Sequence, residues 1–87
     1  MTDLELADLL GRTVANAPDG ERTNAYLLFG IKYAGELEGR INAVADLARG
    51  HWLAAGLKLS SSMQVDVGYG VRVARYAAIT NSPPWLA

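Results

Sequence analysis

The chain has 87 residues, a net charge of −1 and no cysteine, and these properties exclude several classes of protein. A chain of this length forms one domain that buries roughly 60–65% of its unfolded surface. The lack of cysteine excludes disulfide scaffolds and thiolate zinc sites and is typical of the reducing cytosol. The first residues are acidic, unlike a secretory signal, and no apolar run approaches the roughly 18 residues that span a membrane. We therefore expect a single cytoplasmic domain.

Charge is divided unevenly along the chain. Residues 1–38 contain seven acids and three bases, a net charge of −4, whereas residues 39–87 contain five bases and two acids, a net charge of +3. A basic half can face a polyanion such as a nucleic acid. An ordinary solvated surface explains the same asymmetry, so both interpretations stay open at this point.

The first helix has a clear beginning and end. Thr2 and Glu5 form a capping-box pattern, in which each side chain satisfies a backbone donor at the helix entrance. Apolar residues then recur at helical spacing from Leu6, and the turn-forming residues 18–20 follow. We predict a helix that ends near Asn16.

The second helix is predicted from about Arg22 to about Leu37. It is apolar on nearly all sides, which a small protein tolerates only where several neighbours cover the helix, so we expect it to be central. Gly30 and Gly35 lie within it. Because glycine is unfavourable in a helix interior, the two residues predict a close crossing by another helix or a local bend.

The third helix is predicted over residues 40–49, with Gly50 as its C-terminal stop. Residues 51–58 then read as a short helix or a turn. His51 is the only histidine and has no nearby group of metal-ligating or catalytic residues in the sequence. We therefore interpret it as a surface or capping residue and expect no metal, no cofactor and no catalysis.

The segment from residue 60 to residue 76 allows two structures. Apolar and polar residues alternate over 63–67 and over 71–73, which favours a β-hairpin. In contrast, the serines at 60–62 are good N-cap residues, and Gly68 or Gly70 could end a short helix that is followed by an extended wing. The pattern alone does not decide between them.

Three motifs resemble a family of small bacterial helix-turn-helix-like proteins. They are Leu-Phe-Gly-Ile-Lys-Tyr-Ala at residues 28–34, Ala-Gly-Leu at 55–57, and the pattern of serine, acid, glycine and Val-Ala-Arg-Tyr over 62–76. The similarity extends over residues 25–77, and Tyr69 stands where the family usually has a lysine. The resemblance implies a mostly α, helix-turn-helix-like bundle, in which we expect four or five helices. The pattern of residues 60–76 leaves a short C-terminal β wing or hairpin open.

We expect three parts along the chain, and the resemblance implies a DNA-binding surface in the middle part. Residues 1–38 would form a helical scaffold, 39–77 the helix-turn-helix-like unit, and 78–87 a tail rich in proline and tryptophan. Within the unit, Ser60 to Tyr69 would be the helix presented to the groove of DNA. A recognition helix contacts bases with its N-terminal residues. The residues expected to contact DNA are Lys58, Ser61, Ser62, Gln64, Arg72 and Arg75. Gln64 has a bidentate option, to adenine.

We therefore expect a DNA-binding protein, a small transcriptional regulator of a bacterium or a mobile element. The alternative is a protein-interaction module of the same fold, such as a phage inhibitor or an antitoxin-like partner. We also predict a homodimer, because an 87-residue monomer offers little cover for an apolar central helix. The residues expected at its interface are Tyr26, Phe29, Tyr33, Trp85 and Leu86.

Overall fold

A computed structural model describes all 87 residues, which form five helices and no strand. This confirms the prediction of a small, all-helical bundle of four or five helices. The alternatives of a β-hairpin and of a C-terminal wing are wrong, because residues 63–73 form one continuous helix. The helices are α1 (Asp3–Asn16), α2 (Arg22–Lys32), α3 (Ala34–Leu37), α4 (Ile41–Ala54) and α5 (Met63–Val73).

The bundle consists chiefly of two helix pairs. Helix α1 packs against α4 and α2 packs against α5, while α3 contacts α2 and α5. A continuous core of 16 buried residues draws on all five helices, with Phe29 of α2 as its largest fully buried side chain. None of the five helices is long and apolar enough to cross a membrane.

The capping box at the start of α1 is confirmed. The Glu5 backbone N–H donates to the Thr2 hydroxyl at 3.1 Å, and the Thr2 backbone N–H donates to a Glu5 carboxylate oxygen at 2.9 Å. The bond from the Thr2 backbone is the main reason that the pKa of Glu5 lies below its ordinary value. The helix ends at Asn16, as predicted.

The predicted second helix is divided in two. It begins at Arg22, but its first part ends at Lys32 and a separate turn of helix, α3, begins at Ala34. Tyr33 lies between them with φ −107° and ψ 25°, away from helical values. The change of direction brings Leu37, which is fully buried, into the core.

Glycines allow α2 and α5 to touch backbone to backbone. A Cβ atom placed on Gly30 would lie 2.2 Å from the Val67 carbonyl oxygen, and one placed on Gly70 would lie 2.2 Å from the Leu27 carbonyl oxygen. No larger residue fits either position without separating the helices. The close crossing predicted from Gly30 is therefore confirmed, whereas nothing lies within 4 Å of a Cβ on Gly35.

The predicted end of the third helix is wrong, because α4 continues through Gly50 to Ala54. The extra turn carries Trp52, whose indole N–H donates to the Ala7 carbonyl oxygen at 3.0 Å, so contact with α1 favours the longer helix. The stop is Gly56, with φ +89°. Its N–H donates to the Leu53 carbonyl, and the next N–H donates to that of Trp52, as in a Schellman motif.

The C-terminal tail packs on its own chain. Leu86 belongs to the core, and Trp85 packs against it. The Ala87 backbone N–H donates to the hydroxyl of Thr13, which is fully buried in α1, at 3.1 Å. The Ala87 backbone oxygen accepts a hydrogen bond from the Tyr33 hydroxyl at 2.8 Å.

These contacts correct the argument for a dimer. Tyr26 and Phe29 lie in the core of one chain, with 3% and 0% of their surface exposed, and Leu86 is buried there as well. Tyr33 and Trp85 are half-buried against the same core. The central helix is therefore covered within the monomer, because α5 and the tail pack on it, and the homodimer stays a prediction without that support.

Candidate functional site

Helix α5 has an inner face that packs on the core and an outer face that is exposed to solvent. Met63, Val67 and Val71 point into the core. Val65 and Tyr69 are 62% and 55% exposed on the opposite side. The turn after α5 extends this outer face to Tyr76, and the other exposed members of the face are Ser61 and Arg72.

The loop before α5, residues 55–62, is fixed to the core at its centre. Leu59 is buried, and the Ser60 backbone N–H donates to the Tyr26 hydroxyl at 3.1 Å. Arg49 of α4 donates from the same side to the Ser60 carbonyl oxygen at 3.3 Å. The start of α5 is therefore held by a hydrogen bond that it donates to α2 and by one that it accepts from α4.

Three of the predicted DNA-contacting residues line one cleft beside the start of α5. Lys58, Ser61 and Ser62 border a space of about 520 Å³, together with Arg22 and Asp66. The Arg22 guanidinium donates to the Lys58 carbonyl oxygen at 3.2 Å, so two cations lie at the same rim. Because both are exposed, the cleft can accept an anionic group from solvent.

The three serine hydroxyls before α5 differ in whether they have a hydrogen-bond partner within the chain. Ser60 Oγ accepts a hydrogen bond from the Ser62 N–H at 3.2 Å and lies 3.2 Å from Ser62 Oγ. Ser62 occupies the N-cap position of α5, but its side chain caps no backbone N–H. The Ser61 hydroxyl has no partner within the chain, so it is free to bond to a ligand.

Gln64 and Arg72 line a second cleft, between α4 and α5. Its volume is about 390 Å³, and Asn42 borders it from the first turn of α4. Gln64 is half-buried, and its side-chain oxygen accepts a hydrogen bond from the Arg49 guanidinium at 3.0 Å. Arg72 is exposed, with its guanidinium carbon 5.7 Å from the centre of the Tyr69 ring.

The positive charges on this side of the molecule differ in their pairing. Neither Lys58 nor Arg72 has a carboxylate oxygen within 4 Å, whereas Arg75 lies 3.7 Å from an oxygen of Glu38. Both members of that pair are more than 60% exposed, so their mutual attraction is weak. Lys58 and Arg72 are thus the predicted cations that carry a charge with no partner in the fold.

The sequence identified part of this surface. Gln64 and Arg72 lie on α5, and the other four predicted DNA-contacting residues lie in the loop before it or the turn after it. Arg22, Arg49 and the exposed pair Val65 and Tyr69 were not identified from the sequence. The exposed pair repeats at a spacing of four, a helical signal that the hairpin alternative concealed. Arg49 carries no such signal, because its partner Gln64 is fifteen positions away.

Comparison with known protein families supports the resemblance. A family described as an HTH-like domain matches residues 2–80, nearly the whole chain, and the protein belongs to this family. The predicted third helix, residues 40–49, overlaps α4, and the predicted groove segment, residues 60–69, overlaps α5. The connection over residues 55–62 is longer than the usual three- or four-residue turn. No curated protein and no solved structure shows a significant match to the chain.

Proposed function

We propose that the protein binds duplex DNA through the outer face of α5 and acts as a small transcriptional regulator of a bacterium or a mobile element. The observation that carries the proposal is the pair of cations, Lys58 and Arg72, that border an exposed helix and have no carboxylate partner. Lysine and arginine bind phosphates, and their contacts supply most non-specific affinity for DNA. The proposal requires no cofactor and assigns no catalytic step.

The dimensions of α5 suit the major groove. Its 11 residues extend over about 16 Å at 1.5 Å per residue, and the major groove is about 12 Å wide and admits one helix. The outer face carries only one bulky side chain at its centre, Tyr69. The contact with α2 lies on the opposite face, so insertion would leave the glycine crossing intact.

Different residues of the outer face and its flanks can contact different parts of the DNA. Ser61 and Ser62 lie at the start of α5, where backbone and hydroxyl donors face an incoming phosphate or base edge. Val65 is one turn further along and can contact a thymine methyl group. Arg72 would then reach the phosphate backbone on one side, and Lys58 on the other.

The salt dependence of binding to random-sequence duplex DNA tests the proposal. A protein whose Lys58, Arg72 and Arg75 contact phosphates should lose affinity with a log–log slope of about −3, at roughly −0.9 per contact. Arg72→Ala and Lys58→Ala should each make the slope shallower by about 0.9. Arg75→Ala should change it less, because Glu38 competes for that guanidinium.

Arg12→Ala is the matched control. Arg12 is an exposed arginine of α1 that pairs with Asp8 at 2.8 Å, and its replacement changes the net charge by the same amount as Arg72→Ala. The slope should stay unchanged in the control. If Arg12→Ala and Arg72→Ala weaken binding equally, net charge rather than the α5 face governs association, and the proposed surface is wrong.

A protein partner is the second candidate. Val65, Tyr69 and Tyr76 lie on one side of the molecule with 62%, 55% and 89% of their surface exposed, and aromatic residues are frequent at protein interfaces. If this protein is an inhibitor or an antitoxin-like partner, it could bind its target protein through these three exposed residues. If the protein does not bind DNA, or if its DNA affinity does not depend on salt concentration, this candidate is favoured over the first.

A homodimer remains part of the proposal, since two groove helices side by side would read two half-sites. The exposed apolar residues available for such an interface on α4 are Leu47 and Leu53, at 40% and 62% exposure. Sedimentation at tens of micromolar should show a dimer that Leu53→Ser dissociates. A monomer at that concentration would reject the dimer without affecting the proposed DNA-binding face.

A further inference from the structure

Arg49 connects the α4 helix to both the loop and the first turn of α5. One terminal nitrogen of its guanidinium, Nη2, lies 2.6 Å from an Asp46 carboxylate oxygen. The other, Nη1, donates to the Gln64 side-chain oxygen at 3.0 Å and to the Ser60 carbonyl oxygen at 3.3 Å. The Arg49 side chain is 27% exposed and is held from two directions.

This contact determines which way the Gln64 amide faces. A guanidinium has only donors, so the amide oxygen rather than its nitrogen must face Arg49. The Nε2 atom then points away from Arg49 and has no partner in the chain. Because no buried side-chain nitrogen or oxygen is left without a partner, Nε2 of this half-buried residue reaches solvent. Gln64 also lines the cleft beside Arg72.

We infer that Arg49 turns Gln64 into a donor-only reader that prefers guanine to adenine at the base it contacts. A free glutamine pairs with adenine by accepting from N6 and donating to N7. Once the oxygen is engaged by Arg49, the amide offers chiefly its two N–H groups. Guanine presents two acceptors in the major groove, N7 and O6, whereas adenine presents one acceptor and one donor. The inference rests on the proposed function and identifies Arg49 as a positioning residue.

Base preference in duplex selection tests the inference. The wild-type protein should favour guanine at the position that Gln64 contacts. Arg49→Met removes the donors and frees the amide oxygen, so the ratio of adenine to guanine there should rise about tenfold, a typical value for one bidentate contact. Arg49→Lys keeps a donor and should retain the wild-type preference. Gln64→Met should abolish the preference at this position.

The possible outcomes separate this inference from the proposed function. If Arg49→Met weakens binding to all sequences alike and the adenine-to-guanine ratio stays constant, Arg49 only supports the loop, and the inference is overturned while DNA binding stands. If the wild-type protein binds no duplex, both are overturned. Arg49→Met also loses the bond to Ser60, so Gln64→Met serves as the second variant, because it leaves that bond in place.

Discussion

The two faces of α5 follow opposite rules. On the inner face, the backbone of α5 lies so close to that of α2 that a methyl group has no space on Gly70. A methyl group on Gly30 of α2 would likewise meet the Val67 carbonyl oxygen. On the outer face, Val65 and Tyr69 are more than half exposed, and Arg72 has no carboxylate partner. The same eleven-residue helix therefore carries its structural constraint and its candidate function on separate sides.

The difference shows how a small domain can present an apolar and cationic surface without depending on it for stability. Substitutions on the inner face should change the free energy of unfolding, whereas those on the outer face should change binding. Surface residues that lack packing or hydrogen-bond partners usually alter stability by less than about 0.5 kcal/mol. The glycine substitutions and Tyr69→Lys test this separation.

The largest effect is expected from glycine substitutions within α5. Gly70→Ala places a Cβ 2.2 Å from the Leu27 carbonyl oxygen, so the helices must separate, and we expect a loss of about 3 kcal/mol or more. Gly68→Ala is the matched control, because its Cβ would meet Ile41 at an ordinary 3.7 Å. That change should be neutral or stabilise the helix by up to about 1 kcal/mol. Urea denaturation followed by circular dichroism measures both.

The same comparison applies to the partner helix. Gly30→Ala should destabilise as strongly as Gly70→Ala, because its Cβ would lie 2.2 Å from the Val67 carbonyl oxygen. Gly35→Ala meets nothing within 4 Å and should not destabilise. Equal unfolding midpoints for the two members of either pair would show that α2 and α5 do not cross at these residues.

The tail gives the next effect. Leu86 is 6% exposed in the core, and Leu86→Ala should cost about 2 kcal/mol, at the lower end for a buried leucine. Thermal unfolding at two protein concentrations distinguishes the two roles considered for the tail. Packing within one chain gives a melting temperature that does not depend on concentration in either variant. A concentration-dependent loss would instead place Leu86 between subunits.

The capping box should have a smaller effect, far from α5. Thr2→Ala removes the acceptor for the Glu5 N–H and should cost about 1 kcal/mol. The pKa of Glu5 is lowered from 4.5, so its ionised form stabilises the fold above that pH, and the contribution is lost as pH falls through the lowered pKa. Glu5→Gln should therefore differ most from wild type near neutral pH. A difference that grows on acidification would contradict this assignment.

The smallest effect on stability is expected from Tyr69→Lys. Tyr69 is 55% exposed and packs on nothing in the core, so the free energy of unfolding should change by less than about 0.5 kcal/mol. The new cation restores the residue usual in the resembling family and should steepen the salt slope of DNA binding by about 0.9. Leu4→Lys, at an exposed position of α1, is the control and should leave the slope unchanged.

Much of the fold could be predicted from the sequence because its signals are local. The capping box at Thr2 and the stop at Asn16 depend on neighbouring residues, and the glycine at position 30 indicated a close crossing. Gly50 was misleading, because a tertiary contact made by Trp52 overrides the local cost of glycine. The true stop, Gly56, has the same residue type, and only its positive φ distinguishes it.

The candidate site was less predictable because it depends on contacts between distant residues. The cations and serines around α5 could be found from composition and from the family resemblance. The orientation of Gln64 could not, because it is set by Arg49 on another helix. The alternation of residues 63–67 also suggested a strand, whereas in the helix Met63 and Val67 are buried and Val65 between them is exposed.

The most direct test of the central claim is a titration of the ¹⁵N-labelled protein with a short DNA duplex, followed by backbone amide shifts. Binding through the outer face should move the signals of Ser61, Val65, Tyr69 and Arg72 in a saturable way. Signals from the exposed side of α1, such as Leu4 and Arg12, should stay in place. Shifts that centre on α1, or no shifts at low salt, would contradict the claim that the outer face of α5 binds DNA.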